Sequence, residues 1–202
     1  MINTLIFLWL QNQTFYNKLQ LEVIENINIA TSHKSWADIG CSTGLLTRIA
    51  KKLNYNVSGF DLSFTSLLVA KILSFNLKNI KYFQKDFFTL DTKYDIITAT
   101  SLLSVVKNKK EALVKLLSLL KDDNSTLIII EPTSKLTIAN SKKLITNLKT
   151  FWYYKGLLVW ANARQNKAID FNIFKSVNGI SIIKKYYLDG MICIIYIKKG
   201  KL

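Results

Sequence analysis

Asp38-Ile39-Gly40-Cys41-Ser42-Thr43-Gly44 ends a short apolar run, Ser35 to Ile39, and precedes a helical pattern, Leu45 to Leu53. A strand that breaks at glycines into a helix is half of a βαβ unit, so the flanking sequence decides whether a parallel sheet follows. The alternation continues. Asn56 to Phe60 reads as a strand, about Leu62 to Phe75 as a helix, and Ile80 to Gln84 and Tyr94 to Thr98 as strands. Lys109 to Leu120 reads as an amphipathic helix and Thr126 to Ile130 as a strand. Consecutive units of this kind imply an α/β fold with a mostly parallel sheet and helices on both faces. Upstream, residues 4 to 29 carry apolar positions at largely helical spacing and read as one or two amphipathic helices. Downstream, Ile180 to Leu188 and Met191 to Lys198 are β-rich runs joined by Asp189-Gly190, which predicts an antiparallel hairpin. Between Pro132 and Ile180 lies a longer segment with a helical region, Ser141 to Asn147, and an aromatic cluster, Phe151 to Tyr154 with Trp160.

The 202 residues, half of them apolar, can build one sizeable core, and no repeat or Pro/Gly/Ser-rich linker marks a boundary. Cys41 and Cys193 lie far apart and His33 is the only histidine, so neither a disulfide framework nor a metal site has ligands, and a reducing cytoplasm fits best. The apolar start MINTLIFLWL lacks a basic flank and a small-residue cleavage site, so a packed helix is expected there rather than a signal peptide. No apolar stretch reaches the roughly 18 residues of a transmembrane helix. The net charge of +15 would suit nucleic acid or another anionic partner. Only Arg48 and Arg164 of the 28 basic residues are arginine, however, and phosphate and base reading favour the guanidinium fork. A solvated basic surface is the favoured reading, with nucleic acid as a less favoured partner.

Ligands of an open parallel sheet bind beyond the carboxyl ends of its strands, so the residues that follow each strand carry the chemistry. Gly40 allows a sharp exit from the first strand, Ser42 is small enough for a ligand to approach the backbone, and Gly44 allows close helix packing. Asp38 beside that turn would repel a pyrophosphate and attract an ammonium. Asp61 ends the next strand and is suited to accept both hydroxyls of a ribose, although an aspartate at a strand end, taken alone, more often caps the helix that follows. After the third strand, Asp86 is suited to accept from an exocyclic amine, and Phe87 to donate its backbone N–H to a purine while its ring covers the base. A polar turn with core aromatics is the alternative for that pair.

At this point the chain resembles the class I S-adenosylmethionine-dependent methyltransferases, over residues 34 to 132 by motif and at the terminal hairpin by topology. The stretch ADIGCSTGLLT is similar to that family's first motif, acidic-x-Gly-x-Gly-x-Gly, with Ser42 in place of the middle glycine. The resemblance implies a three-layer, Rossmann-like, seven-stranded sheet that ends in an antiparallel strand. It implies S-adenosyl-L-methionine as cofactor and S-adenosyl-L-homocysteine as product. By the same resemblance Asp38, Gly40, Cys41, Ser42 and Gly44 hold the methionine part, Asp61 and Leu62 the ribose, and Asp86 and Phe87 the adenine, while Thr100 lines the cofactor beneath the methionine. The expected organisation is a single domain over 1–202. It comprises an N-terminal helical segment (1–33), a cofactor-binding core (34–132), a substrate-side segment (133–179) and the terminal hairpin (180–202).

Where the family often carries an acidic residue or a histidine towards its substrate, this chain holds Ser101, Ser104 and Val105. Methyl transfer is an in-line displacement at a sulfonium and needs alignment more than a base. His33 precedes the first strand and is expected at the far end of the sheet. Tyr16 and Glu131 are weak candidates for a proton acceptor. The aromatic run Trp152 to Tyr154 with Trp160 either covers a planar acceptor or forms a satellite cluster. A small-molecule acceptor is the leading expectation, and RNA or protein methylation and a non-catalytic cofactor-binding protein are the alternatives. A nicotinamide-dependent oxidoreductase needs G-x-G-x-x-G, of which Gly40, Ser42 and Leu45 supply one glycine.

Overall fold

A computed structural model of the chain describes residues 2–25, 27–30, 33–148 and 151–199, with the backbone alone for 2–3, 148 and 151–154. Seven strands form one sheet in the order β3-β2-β1-β4-β5-β7-β6. The strands are β1 (Ser35–Ile39), β2 (Asn56–Asp61), β3 (Ile80–Gln84), β4 (Ile96–Thr100), β5 (Thr126–Pro132), β6 (Ile180–Tyr187) and β7 (Ile192–Lys199). Neighbouring strands from β3 to β5 pair in parallel, and β7 runs antiparallel to both β5 and β6. The helices are α1 (Ile2–Gln11), α2 (Thr14–Ile24), α3 (Leu45–Lys52), α4 (Phe64–Leu73), α5 (Lys109–Ser118), α6 (Ile138–Leu148) and α7 (Phe151–Arg164).

Side-chain alternation along the central strands splits the core into two layers. Trp36, Ile128, Ile130 and Ile194 face a layer built from α2, α3, α6 and α7, with Phe15, Leu19, Ile49, Leu144 and Trp160. Ala37, Ile97, Ala99, Leu127 and Ile129 face the other side, where Leu113, Leu116 and Phe174 cover them. β5 and β7 are buried on both faces, which is why TLIIIEP and ICIIYI read as continuous apolar runs. β6 lies at the sheet edge and alternates in exposure.

Two helix starts follow local capping chemistry. Ser63 Oγ accepts from Ser66 N at 3.2 Å and starts α4, and Asn108 Oδ1 accepts from Glu111 N at 3.1 Å and starts α5. The fourth strand departs from expectation by two residues. Tyr94 makes only an isolated bridge to Leu120, and the ladder runs on to Thr100 because that residue pairs with Ile130. α7 also exceeds expectation, as a helix of 14 residues packed on α1, α2 and α6. Its backbone hydrogen bonds override the strand preference of the Phe-Trp-Tyr-Tyr run. The side chains of that run lie outside the described residues, so the expected aromatic cover over an acceptor concerns positions not described. Trp160 joins the core instead, with its ring 5.3 Å from Tyr16 and 6.2 Å from Phe15. His33 is exposed ahead of β1, at the end of the sheet away from the glycine turn. Among the described residues no helix is long and apolar enough to cross a membrane.

Candidate functional site

The turn after β1 folds back on β2. Gly40 N and Cys41 N both donate to Phe60 O, at 2.8 and 3.0 Å. Gly40, Ser42 and Gly44 all take left-handed backbone conformations, with φ of +70°, +48° and +74°. Glycine adopts these freely and serine does not. The Asp61 carboxylate holds Ser42 there: Oδ2 accepts from Ser42 N at 2.8 Å, and Oδ1 accepts from Ser63 N at 2.8 Å. Each oxygen keeps acceptor capacity for a further donor.

A cavity of about 550 Å³ opens beyond the carboxyl ends of β1 to β4. Gly40, Ser42, Asp61, Leu62, Asp86, Phe87 and Thr100 all line it. Asp86 Oδ1 accepts from Phe88 N at 3.0 Å and caps a 3-10 turn, Phe87–Thr89. That turn places the Phe87 and Phe88 rings against each other, centroids 4.3 Å apart, at the cavity wall. The roof comes from α1, which contributes Thr4 and Phe7. Thr4 Oγ1 lies 3.0 Å from Thr65 Oγ1 of α4, and the Gln11 amide oxygen accepts from the Thr43 hydroxyl. Helix spacing puts Thr4, Phe7 and Gln11 on one face of α1, and the sequence expectation assigned that face no role.

The structure does not bring Asp38, Cys41 and Gly44 to this cavity. Side chains alternate along β1, so Asp38 points into the helical layer on one face. Its Oδ2 accepts from Thr47 Oγ1 at 2.6 Å and its Oδ1 from Thr98 Oγ1 at 3.0 Å. Asp38 lines a recess of about 20 Å³ with Cys41, Tyr16, Gln11 and Gln20. Gly40, Phe7 and Thr100 border both spaces. Burial pushes the Asp38 carboxyl up to about 6, against the two hydroxyl hydrogen bonds. Burial also pushes up the Cys41 thiol. Gly44 faces away from the cavity, where it packs against Tyr82 and Ala70.

Neither candidate proton acceptor reaches the cavity wall either. Tyr16 is buried between Phe15 and Trp160, and burial holds its phenol well above the usual range. Glu131 is fully buried, with Oε1 accepting from Leu103 N at 2.6 Å and Oε2 from Ser104 N at 3.2 Å. It shapes the loop after β4, whose residues Ser101, Leu102, Val105 and Val106 line the cavity. Burial outweighs those hydrogen bonds and pushes the Glu131 carboxyl up from 4.5 to about 7. Between these values the folded chain holds more protons than the unfolded chain, so stability falls as pH rises through that window. Glu131→Gln is therefore expected to flatten the decline in Tm between about pH 5 and about pH 7.5, with Asp38 leaving a residual slope. An unchanged slope in thermal denaturation would show that Glu131 does not cause it.

Arg164 from the end of α7 and Ser101 from the left-handed residue after β4 also line the cavity. Sequence reasoning gave Arg164 no site role, because its segment matches no motif. Its signal was compositional, as one of two arginines among 28 basic residues. The other, Arg48, braces the glycine turn by donating from Nη1 to Thr43 O at 2.7 Å.

With this geometry in view, a model of a methyltransferase domain matches residues 11–168. The chain is similar to a ubiquinone biosynthesis O-methyltransferase of Glaesserella parasuis serovar 5 (strain SH0165), 33% identical over 121 residues. That match covers 55% of this chain and 51% of the relative, so the chain spans about half the length of that curated protein. Among solved structures, the plantazolicin methyltransferase BpumL in complex with SAH superposes with a TM-score of 0.69 at 15% identity, covering 97% of this chain and 89% of that one. The N-methyltransferase NodS from Bradyrhizobium japonicum WM9 superposes with a TM-score of 0.66 at 9% identity, covering 95% and 99%. At such identities the likeness speaks for the fold, and the sheet order and cavity described above agree with it. The family model spans most of the chain, and on that ground the chain belongs to the methyltransferase domain family, with the Rossmann-like fold of S-adenosylmethionine-dependent methyltransferases.

Proposed function

We propose that the chain transfers the methyl group of S-adenosyl-L-methionine to a small-molecule acceptor, chiefly by alignment. The observation that carries this reading is the single cavity where the residues after β2, β3 and β4 meet the glycine turn. Its volume of about 550 Å³ lies within the range of small-molecule sites, roughly 300–1,000 Å³. The residues fit the cofactor part by part. Asp61 has acceptor capacity for the ribose hydroxyls, Asp86 and Phe87 offer an acceptor, a backbone N–H and a ring for the adenine, and Thr100 borders both the cavity and the recess. The recess bordered by Asp38 and Gln20 would take the ammonium of the amino-acid end. Gln20 Oε1 is buried without a hydrogen-bond partner among the described residues, which suits an incoming donor.

When bound, the cofactor supplies an activated methyl group on a sulfonium. The protein contributes position and exclusion of water. Phe7, Leu102, Val105 and Val106 make the walls apolar, and α1 lies over the cavity. A cavity of this size supports a small acceptor over a polymer. Tyr16 and Glu131 are engaged elsewhere, so transfer proceeds without either as a base. The chain would act as one domain, with 34–132 holding the cofactor and 133–179 facing the acceptor. Free Cys41 and Cys193 support a cytoplasmic setting. Calorimetric titration is expected to show binding of S-adenosylmethionine and S-adenosylhomocysteine and none of NAD; NAD binding without either sulfur ligand would overturn the proposal.

A further inference from the structure

Three buried side-chain polar atoms lack a hydrogen-bond partner among the described residues: Gln20 Oε1, Ser101 Oγ and Arg164 Nε. Gln20 borders the recess beside Asp38, whereas Ser101 and Arg164 both line the main cavity. Native proteins rarely leave buried donors unpaired, so two of them on one cavity wall call for a ligand with acceptors. Arg164 is the stronger indicator. Its Nη1 makes one long bond, 3.4 Å to Ala163 O, and no carboxylate of the described residues lies within ion-pair distance of it. The nearby buried carboxylate, Glu131, feels the Arg164 charge from beyond ion-pair distance and accepts from Leu103 N and Ser104 N. Arg164 is half-buried, and an anion entering the cavity would give its buried Nε an acceptor and its charge a partner.

We infer that Arg164, aided by the Ser101 hydroxyl, receives a carboxylate on an acceptor that is otherwise apolar. This rests on the methyl-transfer reading of the cavity and narrows it to a class of acceptor. Two placements favour the acceptor over the carboxylate of the cofactor itself. Arg164 comes from α7, outside the strand-turn-helix core, and Ser101 follows β4 rather than the β1 turn where the recess would anchor the amino-acid end. The chemistry is also consistent. A cation beside a sulfonium is repulsive, and a carboxylate held between them reduces that repulsion. In the transfer, a lone pair of the acceptor heteroatom forms the bond to the methyl carbon while the carbon–sulfur bond breaks and its electron pair passes to sulfur. A proton on that heteroatom leaves to water, and the carboxylate held by Arg164 is unchanged.

The test begins with S-adenosylhomocysteine binding to the wild-type chain; failure there would remove the methyl-transfer reading itself. The saturated complex is then titrated with benzoate, 4-hydroxybenzoate and octanoate, and with the corresponding neutral amides. At least one carboxylate is expected to bind about tenfold more tightly than its amide, and Arg164→Gln to erase that preference. Ser101→Ala should weaken it by a smaller factor, about threefold. The Tm of each variant is measured to establish that it is folded. The inference is overturned if no carboxylate is preferred, or if the preference survives in Arg164→Gln. It is equally overturned if Arg164→Gln weakens S-adenosylhomocysteine about tenfold while leaving 5′-methylthioadenosine unaffected, since the guanidinium would then hold the amino-acid carboxylate of the cofactor.

Discussion

Asp61→Ala is expected to lower the affinity for S-adenosylhomocysteine by about 100-fold. A hydrogen bond to a charged group contributes about 1.5–3 kcal/mol, so losing two ribose hydroxyl contacts removes at least about 3 kcal/mol. The same carboxylate accepts from Ser42 N and Ser63 N, so its loss also frees the left-handed Ser42 that lines the cavity. A fall in Tm will accompany the loss of binding for that reason. Asp61→Asn separates the two effects, because its carbonyl retains one acceptor oxygen while the negative charge disappears. An intermediate loss of affinity is expected for it. If folded Asp61→Ala binds S-adenosylhomocysteine within about threefold of wild type, the ribose role fails.

The second large effect is on stability. Gly44→Ala is expected to cost about 2–4 kcal/mol, through a left-handed φ of +74° and a steric overlap. An added Cβ would run into the Tyr82 hydroxyl and come within 3.0 Å of Tyr82 Cζ and 3.1 Å of Ala70 Cβ. Tyr82 has little room to retreat. Its hydroxyl lies 2.8 Å from Ser74 Oγ, and its ring packs so closely on β2 that a Cβ at Gly59 would lie 2.7 Å from it. At about 2–4 °C per kcal/mol for a chain of this length, the Tm should fall by about 5–15 °C. Tyr82→Phe removes the nearest atom, so Gly44→Ala should cost less by about 1 kcal/mol in that background. An additive double variant would show that the overlap does not contribute and leave the backbone conformation as the sole cause.

The glycine turn therefore has two roles that the spacing of residues 38 to 44 presents as one. Gly40 and Ser42 face the cavity, and Gly44 faces Tyr82 and Ala70, where it sets how closely α3 approaches the sheet. Asp38 sits in the same motif but turns to the other face of β1, into a recess shared with α1 and α2. Local spacing shows that these residues are neighbours along the chain. It does not show which wall each one joins, because that depends on helices that arrive from elsewhere in the sequence.

The limits of local pattern are equally visible further along. Strands β5 and β7 were legible because burial on both faces demands unbroken apolar runs, and the hairpin was legible because Asp189-Gly190 suits a tight turn. Helix α7 was not, because its aromatic run favours strand locally and only packing on α1, α2 and α6 makes it a helix.

Hydrophobic periodicity and turn chemistry, both short-range properties, were enough to settle the order of strands and helices, the glycine turn after β1 and the acidic residue after each of the next two strands. The convergence of Asp61, Asp86, Phe87 and Thr100 on one cavity required the parallel pairing of β1 to β4, which aligns the ends of segments about 20 residues apart. The roof from α1 and the placement of Arg164 with its unbonded Nε at the cavity required packing between distant segments of the described chain. The cavity lining draws together residues as many as 160 positions apart, and no local pattern encodes which polar atom is left buried without a hydrogen-bond partner among the described residues.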